Sequence, residues 1–282
     1  MDVLVEKTDD FPVNWQQMVA DEFKPNDMYR NSDVLSFDVE QLQVDLLLTP
    51  TDEYETSRNY FSWNDTSNFV GRVSHKLGFK YGHRGLEFVF RDGNYQHAVL
   101  NVTRDTRAAL EFLGFDADRY FEGFDTMEDA FKWASNTHYF NKAMFAVENR
   151  NHRSNVRDKK RKNYSDFVTW MQDKDLPEYP WEDMKEQGGP KYKEQFMQLA
   201  FVAFPDFLDR YSAMITDYNN LLEFRKRFNG SLVSEWTGKV EKELGMVMQS
   251  FRKSFNDPSE MVPWVLASTD EEVKLRVMNL LE

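Results

Sequence analysis

An alternation of period two, cleanest in QLQVDLLL at residues 41–48, is the feature that most limits what this chain can fold into. Leu42, Val44, Leu46 and Leu48 fall on one side and Asp45 interrupts the other, because successive strand side chains point to opposite faces of a sheet. Such a segment is a strand with one face packed on an apolar layer. MDVLVEK at the amino terminus and DVLSFDV at residues 33–39 read the same way, and VNWQQMVADEF between them reads as a helix. In MDVLV, Val3 and Val5 would face that helix layer while Asp2 and Leu4 face away, so Asp2 and Asp45 are expected on one sheet face. Residues 26–33 read as a polar loop, and the two strands after it join tightly around Glu40.

Helical period then takes over. NDTSNFVGRVSHKL reads as a helix capped by Asn64 or Asp65, with Asn68 and Arg72 four apart and able to reach one site. GFKYGHRGLEFVFRDG reads as a hairpin turning at Gly82 or Gly85. From Thr106 the pattern is helical throughout: RAALEFLG closes at Gly114, Thr126 with Asp129 marks a helix start, and YSDFVTWMQ carries Tyr164, Phe167 and Trp170 as core residues. DLPEYPWEDMKEQGGP breaks the run before helices resume. Two domains are expected, 1–105 and an all-helical 106–282.

Composition narrows the chemistry. With 282 residues, 41% hydrophobic and 15% aromatic, the chain has material for a substantial core. It has no cysteine, which excludes disulfides, thiol nucleophiles and cysteine-based metal sites, and its five histidines show no ligand spacing. No stretch approaches the roughly 18 apolar residues of a membrane span, and no leader precedes the first strand, so a soluble cytoplasmic protein without membrane partners is expected. The net charge of −13 opposes indiscriminate binding of nucleic acid. One segment departs from it: Arg150, Arg153, Arg157, Lys159, Lys160, Arg161 and Lys162 surround the single acid Asp158, a formal +6. That run reads either as a phosphate-binding patch or as a solvated helix face or linker.

By pattern alone Asp45 is a solvent-facing acid on an edge strand, and Tyr60 and Phe61 are core aromatics. Their order and spacing suggest more. Asp45, the Tyr60-Phe61 pair, Asn68 and Arg72 resemble the palm-to-nucleotide-pocket segment of family X DNA polymerases, in the nucleotidyltransferase superfamily of polymerase beta. MDVLVEK resembles the second half of that family's metal-binding strand, Gly-Asp-Met-Asp-hydrophobic-Leu-hydrophobic, with Asp2 matching the second aspartate. The first aspartate and the triphosphate-binding glycines would then lie upstream of Met1 or be lost, and weak or absent transfer is expected. The resemblance covers about the first 90 residues. It implies a small mixed-sheet palm there; the helical two thirds are not those of polymerase beta, and with them the chain is expected to be α+β, a palm followed by a larger all-helical domain, similar to nucleotidyltransferase-like proteins of large phages.

The same resemblance implies the roles. Asp2 and Asp45 would hold Mg2+ and act catalytically, Tyr60 and Phe61 would pack on the incoming sugar, and Asn68 and Arg72 would contact the base. Beyond the resemblance, and on local charge alone, Arg150, Arg153, Arg157, Lys159, Lys160, Arg161 and Lys162 would hold a nucleic-acid acceptor or the triphosphate. Residues 228–255 faintly resemble the carboxyl-terminal tail of CCA-adding tRNA nucleotidyltransferases, with Gly238 and Gly245 in similar places, which points to a tRNA-like acceptor. Two other readings stand beside transfer: a nucleotide or RNA binder without catalysis, and a structural helical protein whose basic stretch mediates assembly.

Overall fold

The computed structural model describes residues 1–63, 66–182 and 190–281. The cap read at Asn64 or Asp65 and the Gly188-Gly189 pair of the long loop lie outside them. The chain opens with β1 (Asp2–Lys7), α1 (Trp15–Phe23), β2 (Met28–Asn31), β3 (Val34–Val39) and β4 (Leu42–Pro50). These strands form a mixed sheet of order β1-β4-β3-β2, in which β1 runs parallel to β4 and the other pairs are antiparallel. Leu35, Phe37 and Val44 are buried against Val3, Leu46 and, from α1, Trp15 and Val19. Trp15 and Val19 are four apart, so one helix face covers one sheet face. Asp45 is left on the other.

The polar-loop reading of residues 26–33 is corrected by β2, which pairs with β3. All four of its residues are exposed. An edge strand that meets water on both faces carries no apolar alternation, so its pattern is silent.

Beyond β4 come α2 (Thr51–Phe61) and α3 (Thr66–Leu77), then an antiparallel sheet of β5 (Lys80–Gly82), β6 (Gly85–Asp92) and β7 (Tyr95–Thr103). Gly82 pairs with Gly85 across the hairpin turn. Gly85 has φ 101°, and a Cβ there would strike the carbonyl oxygen of Thr103, so glycine is required. β7 was not legible in the sequence: only Val102 of its nine residues is buried.

The helices that follow are α4 (Thr106–Phe112), α5 (Ala117–Glu122), α6 (Met127–Ser135), α7 (His152–Asp158), α8 (Lys162–Trp170) and α9 (Pro190–Ala203). Asp105, Asp116 and Thr126 cap α4, α5 and α6 by accepting from the N–H groups of Ala108, Arg119 and Asp129. The rest comprises α10 (Pro205–Arg227), α11 (Gly230–Thr237), α12 (Glu241–Lys253), α13 (Met261–Ala267) and α14 (Asp270–Met278).

The chain divides into two compact units, Met1–Leu208 and Asp209–Glu282. That division falls well beyond residue 105, where the helical character begins. The reason is a shared aromatic core: Phe69 of α3 lies 4.4 Å, ring centre to ring centre, from Phe167 of α8 and 6.0 Å from Phe131 of α6. Separating the sheets from these helices would expose it. The second unit has its own core, in which Phe228 stacks on Phe251 at 4.2 Å beside Val233, Val265 and Val273. The fold is α+β with a helical carboxyl-terminal part. Among the described residues no helix is long and apolar enough to cross a membrane.

Candidate functional site

Register decides where the two acids stand. In the parallel β1–β4 ladder Asp2 pairs with Asp45, and on the other side of β4 Ser36 pairs with Asp45. Paired residues on neighbouring strands share a face, and this one is turned away from α1. Asp45 accepts from the Gln43 side-chain amide at 3.0 Å. The Ser36 hydroxyl first, and Gln43 second, hold the Asp45 carboxyl below the usual carboxylate range, since hydrogen bonds to an anion favour the ionised form. No group of three or more His, Asp or Glu side chains among the described residues is placed to hold a metal ion. Glu6 and Asp38 stand on the same face by register, paired with Thr49 and Gln43, but they do not join Asp2 and Asp45 in such a group.

Tyr60 and Phe61 end α2. Their rings meet edge to face at 5.1 Å, Tyr60 lies 5.8 Å from Tyr81, and Phe61 stacks on His83 at 6.2 Å. Phe61 is 36% exposed, so it is not a core aromatic. Desolvation first, then Arg84 and Lys80, holds the His83 imidazole below its ordinary range. The Ser67 hydroxyl donates to the Tyr60 carbonyl and ties the start of α3 to the end of α2. Together these elements enclose a cleft of about 340 Å³ lined by Asp2, Tyr60, Phe61, Ser67, Asn68 and Arg161. Asp45 is not in the lining; it stands beside Asp2 on the neighbouring strand.

A second cleft, of about 260 Å³, shares Tyr60, Ser67 and Asn68 and continues along α3 to Arg72 and His75, with Arg153 and Arg157 of α7 on its far side. Two expectations change here. Arg72, read as a base contact, is buried, and its Nη2 pairs with Asp158 at 3.1 Å. Arg150, read as a phosphate contact, has a side chain only 5% exposed, paired with the same Asp158 oxygen at 3.0 Å and lying 4.8 Å over the Tyr164 ring. Arg157 reaches the other oxygen at 2.8 Å. A carboxylate removed from water needs this company, because an uncompensated buried charge is strongly unfavourable. The three guanidinium groups hold Asp158, and Asp158 holds α7 against α3.

The remaining basic residues divide. Arg161 lines the first cleft and Arg157 the second. Arg153, Lys159 and Lys160 are exposed and make no side-chain ion pair among the described residues. Lys162 pairs with Asp166 at 3.4 Å across one helical turn, far in solvent. Residues 150–162 are therefore largely helical, in α7 and the start of α8, with an open basic face. Sequence reasoning missed Asp158 and Ser67. A lone acid among seven basic side chains was the available signal for the first, and the second gave none. Gly238 caps α11 in the left-handed region at φ 68°, and Gly245 lies inside α12; both belong to the second unit.

Comparison of the chain with protein-family models, with curated proteins and with solved structures finds no match. The functional reading rests on the chemistry of the site.

Proposed function

We propose that the chain binds a nucleoside triphosphate in the Asp2–Tyr60–Phe61 cleft and, with Mg2+, transfers its nucleoside monophosphate to an acceptor hydroxyl, with nucleic acid as the acceptor class. The observation that carries this is the convergence on one cleft of Asp2, register-paired with Asp45, an aromatic pair, an amide and an arginine. Phe61, with His83 behind it, offers a flat apolar face for a sugar or base, and stacking of that kind is tolerant of base identity. Asn68 supplies a donor and an acceptor, and Arg161 a charge for phosphate.

The residues fit magnesium held jointly with a substrate. That ion takes oxygen ligands, keeps several waters, and is commonly bound by one or two carboxylates together with substrate phosphates. Asp2 and Asp45 would hold it, and it would polarise a phosphoryl oxygen. Asp45 is suited to the role because its hydrogen bonds keep it anionic. A second reading, nucleotide binding without turnover, is favoured because no third His, Asp or Glu among the described residues is grouped with Asp2 and Asp45 to hold a metal.

Transfer of radiolabelled monophosphate from each of the ribo- and deoxyribonucleoside triphosphates to a tRNA-like acceptor, with magnesium, tests the proposal. Asp45→Asn is expected to lower any such transfer by about a hundredfold or more, since displaced reacting groups lose rate on that scale. Equal transfer by Asp45→Asn would sink the role of this face. Binding with no transfer by the parent chain selects the second reading.

A further inference from the structure

The cleft between α3 and α7 has a lining unlike the rest of this acidic chain. Among the described residues its lining includes no carboxylate, and it gathers Arg72, Arg153, Arg157 and His75 with the side-chain amide of Asn68. Asp158, held behind this wall and fully buried, is shared by Arg72, Arg150 and Arg157, so one negative charge stands among three positive ones. Arg153 adds a fourth, with no ion pair among the described residues. Concentrated positive charge beside low-dielectric walls focuses the field into the cleft. Planar guanidinium groups suit the oxygens of a phosphate, which they bind as a fork. The overall charge of −13 makes this local excess a selective feature rather than a general attraction to polyanions.

We propose that this cleft is a phosphate-binding site, distinct from the Asp2 cleft and built by Arg153 and Arg157 against the α3 wall. It stands whether or not the chain transfers nucleotides. Its ligand is a phosphate group, carried either by a nucleotide's own polyphosphate or by the backbone of a single-stranded nucleic acid. Buried Arg72 is a positioning residue: through Asp158 it fixes Arg157 at the rim.

Calorimetric titration of the full chain with inorganic tripolyphosphate, without metal, tests the site, beside Arg153→Gln and a control in the second unit, Lys226→Gln, whose side chain is 73% exposed. Arg153 is exposed and makes no ion pair among the described residues, so its replacement leaves the fold intact, and an unchanged unfolding temperature verifies this. Binding weakened about tenfold or more by Arg153→Gln, and less than twofold by the control, is expected for loss of a charge-assisted hydrogen bond. No tripolyphosphate or oligonucleotide binding by the parent chain, or equal weakening by the two variants, would overturn the proposal. A parallel titration with a short single-stranded RNA separates the sources: RNA binding lost in Arg153→Gln while tripolyphosphate binds poorly assigns the site to a nucleic-acid backbone. An Arg153 effect without an Asp45 effect on nucleotide binding keeps this inference and removes the transferase reading, and the converse removes this one.

Discussion

Asp158→Asn is expected to lower the free energy of unfolding by about 3 to 5 kcal/mol, the usual cost of removing one partner from a buried ion pair. Asp158 is fully buried in its side chain, and Arg72 and Arg150 beside it are 4% and 5% exposed. The amide keeps the shape and one acceptor oxygen but removes the charge, so two guanidinium groups remain in a poorly solvated place without their counter-ion. Arg157, half exposed, turns to solvent and is affected less. The check is equilibrium urea unfolding, read as a fall in midpoint at constant slope. A loss under about 1 kcal/mol, the range of surface pairs, would contradict the buried cluster. Because Asp158 joins α7 to α3, the variant also loosens the wall of the phosphate cleft.

Phe167→Ala is expected to cost a similar amount, about 3 to 5 kcal/mol, from lost transfer free energy and the cavity left behind. Phe167 is fully buried at the centre of the first unit's aromatic cluster, 4.4 Å from Phe69, 5.0 Å from Phe145 and 5.2 Å from Phe131. Those rings come from α3, from the segment after α6, and from α6 itself, so no single neighbour can close the void. Differential scanning calorimetry reads the effect as a lowered unfolding temperature of the first unit. An unchanged transition would mean that α8 does not pack into this core.

The positions of the two acids were legible because a strand's period is fixed. Val3, Val44 and Leu46 pack against α1, which leaves Asp2 and Asp45 on the opposite face as the alternation requires. Their exact pairing in the β1–β4 ladder was not legible, since register depends on hydrogen bonds between segments some forty residues apart. Tyr164 and Phe167 were read as core and are buried, while Phe61 departs from the core reading of its pattern. The basic segment was the least legible part. Counting charges treats Asp158 as one solvated acid among many cations, whereas burial makes it the anchor for Arg72, eighty-six residues away. Arg72 and Arg150 thereby leave the set of open contacts, and Arg153, Lys159, Lys160 and Arg161 remain near the clefts or on the open face. The edge strand β2 escaped notice for the opposite reason: all four of its residues are exposed.

The measurement that bears most directly on the central claim is thermal unfolding of the chain with each nucleoside triphosphate, with and without magnesium, beside Asp45→Ala. A ligand that binds the folded state alone stabilises it by about 2.7 kcal/mol at a hundredfold excess over Kd. The account predicts a magnesium-dependent rise in unfolding temperature for at least one triphosphate, lost in Asp45→Ala. No rise with any triphosphate, or an equal rise in the variant, would contradict it.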